Sequence, residues 1–285
     1  MVRAYDSRIM KRFRQPLVLA LVLVSIAWAQ EAAEPRVDFV RNTVEVEGVA
    51  VGPARFKDNP AAAYLSARQA AKVLADAQLG ALLAGLYVDV ALDSNGARRV
   101  REELPRTHVP GGIVVAQSSL DEFRGSGHVM VRVRYQMGDL MPLILGEGRA
   151  ERLRAAHAAF APAATLANPA PATEADGAIL VVPGSFEPTL APKVFNTSTQ
   201  LVYSAASVSL ETLRLRGVAR YADTLAQARQ LLQEQGVREP IQILAAVRGG
   251  TDLVLPDADG ARLLAADTRT HFLEKGRVVI VLSGR

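Results

Sequence analysis

Four histidines, at positions 108, 128, 157 and 271, and no cysteine make up the chain's stock of the side chains that most often serve as proton shuttle, nucleophile or metal ligand. They lie in separate stretches, so no His/Cys spacing places two metal donors on one face. His128 stands apart because it follows Gly125-Ser126-Gly127, opens an alternating run, and has Asp121 and Glu122 just upstream. A hydrolase or transferase would use such a set as an imidazole acid/base oriented by a carboxylate. The plainer reading makes His128 a turn residue at the start of a strand, because no nucleophile pattern accompanies it. Arg132 and Arg134 share one face of that run and suggest either an anion site or the solvated side of an antiparallel strand. Asp257 and Asp259, before Gly260, invite comparison with a calcium loop. The glycine comes fourth rather than sixth, however, and the twelfth position is Thr268 rather than Glu. They read instead as a helix cap and a first-turn acid. HExxH, phosphate-loop, GxSxG and dinucleotide patterns are all absent. No catalytic, cofactor-binding or metal residue is therefore assigned, and the chain reads as a protein that is not an enzyme.

The first thirty residues bear on where it works. Basic residues (Arg8, Lys11, Arg12, Arg14) precede the apolar run Pro16–Trp28, and Ala27-Trp28-Ala29 offers a small-x-small cleavage pattern. At about 1.5 Å per residue the run makes a helix of roughly 20 Å, short of a hydrocarbon core of roughly 30 Å. Residues 1–29 read as a cleavable signal, and the location expected is the periplasm or the outer membrane. That segment carries five of the 33 basic residues and one of the 29 acidic ones. Residues 30–285 therefore hold 28 of each, and net charge provides no pull toward nucleic acid. An exported chain without cysteine must be held by ordinary apolar cores.

The elements that would position these residues fall into two halves. Residues 30–154 read as one α+β domain, 155–176 as an Ala/Pro-rich linker broken by Pro162, Pro169 and Pro171, and 177–285 as a second α+β domain. Each is expected to be a mostly antiparallel sheet packed with one or two amphipathic helices. In the first half, Val44–Val51 alternates as a half-buried strand. A helix comes next, capped by Asn59 with Pro60 in its first turn and an apolar face through Ala63, Ala67, Ala70, Leu74, Ala77, Ala81 and Ala84; the small residues let it lie close on a sheet. Lys72 and Asp76 read as a solvated pair. Leu86–Val90 reads as a strand, 97–104 as a short helix, 112–120 as a strand, His128–Tyr135 as the clearest strand, and Met141–Ala159 as a helix. In the second half a buried strand at 177–182 precedes a hairpin of 193–195 with 201–203 about Asn196–Gln200. A helix at 224–235 ends at Gly236. A strand at 241–247 pairs with 253–255 across Gly249-Gly250, and a helix at 258–272 leads to a central closing strand, 277–282. Asn196-Thr197-Ser198 matches a glycosylation acceptor but reads as a turn.

Val44-Glu-Val-Glu-Gly-Val-Ala50, Ala67-Arg-Gln-Ala-Ala-Lys-Val-Leu-Ala-Asp-Ala77, Leu83-Ala-Gly-Leu-Tyr-Val-Asp89 and Gly127-His-Val-Met-Val-Arg-Val133 resemble the secreted bacterial envelope domain typified by the twenty-kilodalton outer-membrane lipoprotein. Flagellar accessory proteins of the outer-membrane ring share that domain. The second half is similar to the C-terminal region of related exported proteins through Thr189–Phe195, Val202-Tyr203, Gly217–Tyr221, Ala226–Arg229 and Phe272–Leu282. The chain departs from the lipoprotein members in lacking the lipid-bearing cysteine. The resemblance implies a non-catalytic envelope protein, a structural or assembly factor of the outer membrane or flagellum. Its partners would be envelope or flagellar proteins or further copies of itself, with no nucleic acid and no transmembrane segment after cleavage. A glycan- or lipid-binding module, with a groove lined by Tyr87, Tyr135 or Tyr203, is the other binding reading. A periplasmic hydrolase built on Asp121, Glu122 and His128 is the catalytic one.

Overall fold

The structure, a computed structural model, describes residues 33–89, 109, 111–146, 148–159 and 174–283. By its packing the chain divides at Glu34/Pro35, and the described strands and helices belong to the unit Pro35–Arg285. Its first half is a four-stranded antiparallel sheet ordered β1-β2-β4-β3, made of β1 (Arg36–Asp38), β2 (Thr43–Val51), β3 (Ile113–Gln117) and β4 (His128–Gln136). Alternation sorts the faces. Val44, Val46, Gly48 and Ala50 of β2 and Val129, Val131, Val133 and Tyr135 of β4 point inward, and the charged positions between them point outward.

Helix α1 (Pro60–Asp89) lies on the inner face. It starts as expected, with Asn59 Oδ1 accepting the Ala62 N–H at 3.1 Å. Its buried stripe is Ala63, Ala67, Ala71, Ala75, Leu79 and Leu83, in steps of four throughout, whereas Ala70, Leu74, Ala77 and Ala81 face solvent. The expected face alternated steps of four and three and so ran straight along the helix. The observed i, i+4 ridge is inclined to the axis, which is what a helix crossing a twisted sheet obliquely presents. Small residues bring the backbones together: a Cβ on Gly48 would sit 1.9 Å from the Ala71 carbonyl oxygen. Leu86–Asp89, expected as a strand, continue α1, because the stride through Leu79 and Leu83 carries a formed helix on at little cost per residue. Val90 and the helix expected at 97–104 lie outside the described residues.

Two further boundaries differ. A helix, α2 (Leu120–Ser126), stands where a strand end and a glycine turn were expected. It is set by a capping box in which Ser119 Oγ accepts the Glu122 N–H at 3.2 Å and Glu122 Oε2 accepts the Ser119 N–H at 2.6 Å. The single helix expected at 141–159 is two, α3 (Met137–Leu145) and α4 (Arg149–Ala158), separated at Gly146 and at Gly148 with its φ of 77°.

The second half keeps the α+β class but not the expected strand directions. Strands β8 (Arg220–Ala222), β12 (Val278–Ser283), β5 (Gly177–Pro183) and β9 (Pro240–Leu244) form, in that order, a wholly parallel sheet. A mixed sheet of β10 (Ala246–Arg248), β11 (Asp252–Leu255), β6 (Lys193–Asn196) and β7 (Leu201–Tyr203) joins two antiparallel hairpins through a parallel β11/β6 pair. The reason is visible in β5 and β12, unbroken apolar runs buried on both faces, as central parallel strands require. Helix α5 (Leu210–Arg216) comes after β7, α6 (Leu225–Gln233) carries the crossover from β8 to β9, and α7 (Asp257–Thr270) precedes β12. Ala228 and Leu232 of α6 close one face over Ile179, Val279 and Val281. The opposite face joins the large apolar cluster that also holds the core of the first half, with Phe39 edge-on to Tyr221 at 5.4 Å. Among the described residues no helix is long and apolar enough to cross a membrane.

Candidate functional site

The residues singled out for catalysis are engaged in local structure. Glu122 serves the α2 cap, and those hydrogen bonds hold its carboxyl below the usual range. Asp121 is exposed, 3.5 Å from Arg124 on its own helix. His128 uses Nδ1 on the Ser126 carbonyl at 2.6 Å. The three share a corner but engage separate partners, and no chain of imidazole, orienting carboxylate and nucleophile is assembled. His157 is buried, His271 terminates α7 in the left-handed region at φ 50°, and His108 lies outside the described residues. Among the described residues no group of three or more His, Asp or Glu side chains is placed to hold a metal ion.

The charged candidates are likewise paired. Arg132 places Nη2 2.7 Å from Glu47 Oε2, and Arg134 places Nε 2.7 Å from Glu45 Oε1, each pair directly across the β2/β4 ladder. This face is neutralised within the sheet and is a poor anion site. The pair expected between Lys72 and Asp76 is not formed: Asp76 accepts the Tyr135 hydroxyl at 2.6 Å, and Lys72 has no ion pair among the described residues. Asp257 is the first residue of α7 rather than its cap. Its carboxylate reaches across to Ser198, accepting the backbone N–H at 3.0 Å and the hydroxyl at 2.7 Å, bonds that depress its pKa and anchor the Asn196–Gln200 turn. Asn196 itself is the last residue of β6, buried and bonded to Gln200 across the turn that Thr197 and Ser198 make. Tyr135 and Tyr203 are core residues. Burial pushes both phenols up, and the Tyr203 hydroxyl donates to the Val218 carbonyl, so neither lines a groove; Tyr87 lies outside the residues whose side chains are described.

Among the described residues two concave regions stand out. The first is a groove of about 560 Å³ on the helix side of the antiparallel sheet, where α1 packs chiefly on β2 and β4 and no described strand pairs with the outer edge of β3. Val131 and Val114 contribute strand side chains to it, and Leu65, Arg68, Gln69 and Lys72 of α1 form its wall. Beside it Ile113, Val114 and Val115 are 64%, 40% and 38% exposed on an edge strand whose register slips at Val115. The sequence places a strand here but does not say that it lies at an edge. The available signal is the run of three β-branched residues after Gly112 with no polar alternation. The second region is a crevice of about 600 Å³ outside the carboxyl ends of β8 and β12. It is lined by Arg36, Asp38, Phe39, Arg41, Pro188 and Asp223 among others, the position at which open parallel sheets hold ligands.

None of the curated proteins compared with the chain matches it. Residues 171–284, two fifths of the chain, match a family model described as the second domain of Treponema pallidum Tp0624, so the part of the chain similar to that domain begins six residues before β5 and takes in both second-half sheets.

Proposed function

We propose that the chain is an exported, non-catalytic protein of the bacterial cell envelope that acts by binding, as a structural or assembly component of the outer membrane or the flagellum. The observation that carries binding over catalysis is the bare β3 edge with its three solvent-facing β-branched residues, beside polar groups that are already occupied by one another. The basic, apolar and small-x-small order of Met1–Gln30 supports export, and the resemblance of residues 44–137 and 177–283 to exported envelope proteins supports the compartment. The experiment is fractionation of cells producing the full chain, with mass spectrometry of its N-terminus and a photo-crosslinking residue in place of Ile113. A chain beginning at Gln30 in the periplasm and crosslinked to an envelope protein is expected. An untrimmed chain in the cytosol would overturn the reading, as would turnover of a substrate by the purified protein that His128→Ala abolishes.

The crevice favours a second reading, a glycan- or lipid-binding module. Its planar acceptors Asp38 and Asp223 and donors Arg36 and Arg41, beside Phe39, suit a polyhydroxylated ring better than an ion. A soluble glycan fragment that raises the melting temperature, and no longer does so after Asp223→Ala, would favour it.

A further inference from the structure

We infer that the groove between α1 and β3 receives an extended, acidic segment of another protein, added as a fifth strand against the open edge of β3. The inference rests on the reading of the chain as a binding protein and names the class of partner.

The edge comes first. An unpaired strand edge is a template for another chain, and proteins blunt it by shortening the strand or by placing charge or proline on it. The other edge strands of the described sheets obey that rule. β1, β7, β8 and β10 are three residues each, and β9 opens on Pro240. β3 breaks it: Ile-Val-Val-Ala-Gln has five residues, no charge and no proline, and its first three side chains are in solvent. Such an edge suits strand addition, in which main-chain hydrogen bonds supply affinity and alternate side chains enter a pocket.

Charge chooses the occupant. On the outer face of the same sheet Arg132 and Arg134 are neutralised by Glu47 and Glu45. On the inner side Arg68 and Lys72, four residues apart on α1, flank the groove, and among the described residues neither has an ion pair. An incoming strand that alternates carboxylates with β-branched residues can set its acids on the inner side, toward Arg68 and Lys72, and its apolar set on the outer side beside Ile113, which stands opposite the outward-facing Arg134. A second copy paired through β3 would instead bring two Arg68/Lys72 pairs to one face, where like charges repel.

The test uses the full chain after signal removal and two fluorescein-labelled octapeptides, (Glu-Val)4 and (Lys-Val)4, in fluorescence polarisation, with amide hydrogen exchange read over residues 113–117. Saturable binding of (Glu-Val)4 is expected, at least tenfold tighter than (Lys-Val)4. The double variant Arg68→Glu, Lys72→Glu should weaken it tenfold or more, as should the exposed-site variant Ile113→Lys, with exchange of the β3 amides slowed only when peptide is present. No saturable binding up to about 1 mM, equal binding of both peptides, or binding that leaves β3 exchange unchanged overturns the inference. So does β3 exchange already slow in the free chain: with dependence on protein concentration the occupant is a second copy, and without it the chain covers its own edge. Peptide failure alongside an Ile113 crosslink to an envelope protein would reject the acidic strand and leave the binding function. A cytosolic, untrimmed chain would reject the envelope reading whatever the peptides do, and leave the strand-addition inference to the peptide result.

Discussion

Replacing Gly48 with alanine adds one methyl group at the point where α1 and β2 touch. That methyl would lie 1.9 Å from the Ala71 carbonyl oxygen, 2.6 Å from the Ala75 nitrogen and 2.9 Å from the Ala71 carbonyl carbon. All three are backbone atoms of a helix interior, so no rotamer change clears the site. Restoring ordinary contact at about 3.4 Å moves the helix off the strand by about 1.5 Å. The neighbours that lose contact, Ala67, Ala71, Ala75 and Leu79, are fully buried and too small to refill the gap. A radial gap of about 0.5–1 Å already forfeits a quarter to a half of each dispersion well, and overpacking in cores costs about 1–3 kcal/mol. Because the clash is with backbone, about 3 kcal/mol or more is expected, which for a unit of this size is a fall in melting temperature of about 6–12 °C. The assay is urea and thermal unfolding followed by circular dichroism. Gly125→Ala serves as control, since a Cβ there meets nothing within 4 Å inside α2, and it should be neutral or slightly stabilising. A Gly48→Ala protein within about 0.5 kcal/mol of the parent, or no worse than the control, would refute the close-approach argument.

Acid should weaken the fold through His157. Burial, and then the Lys193 charge, pull its pKa from 6.5 down to about 4, so the unfolded chain binds the proton first. Stability is full above about pH 6.5 and falls as pH drops toward 4, by on the order of 3 kcal/mol from this group, and His157→Gln should flatten that slope in urea titrations at a series of pH values. Tyr135→Phe removes the hydroxyl that donates to Asp76 and should cost about 1–2 kcal/mol, seen as a lower urea midpoint with unchanged slope. Ser119→Ala breaks the capping box and should cost about 1 kcal/mol, with faster amide exchange confined to Leu120–Ser126; a loss spread through β4 would contradict a local role.

Several elements are legible because their signal is local. The β2 and β4 alternations, the Asn59-Pro60 helix start and the Gly249-Gly250 turn, with φ of 63° and 87°, form as read, although the strand expected at 241–247 is two, β9 in the parallel sheet and β10 in the hairpin, and Thr224, expected inside a helix, caps it. The capping box of Ser119 and Glu122 is equally legible in principle but stands behind a glycine-rich stretch that reads as a turn. The alternation at Leu86–Asp89 misleads because it spans too few residues to compete with the propagation of a helix thirty residues long. Asp257 misleads because the partner that claims it, Ser198, lies fifty-nine residues away.

What the sequence alone determined is the mixed α+β class, the inward sets of β2 and β4, the tight seat of a small-residue helix, and the absence of any local motif that demands catalysis, because periodicity, caps and spacing are properties of neighbouring residues. Only the tertiary structure decided that β5, β12, β8 and β9 run parallel, that Arg132 and Arg134 are neutralised across the ladder, and that Ile113–Val115 lie on an open edge beside Arg68 and Lys72. Those facts depend on which strand lies beside which, and that is set by the burial of whole faces against one another rather than by the residues adjacent in the chain.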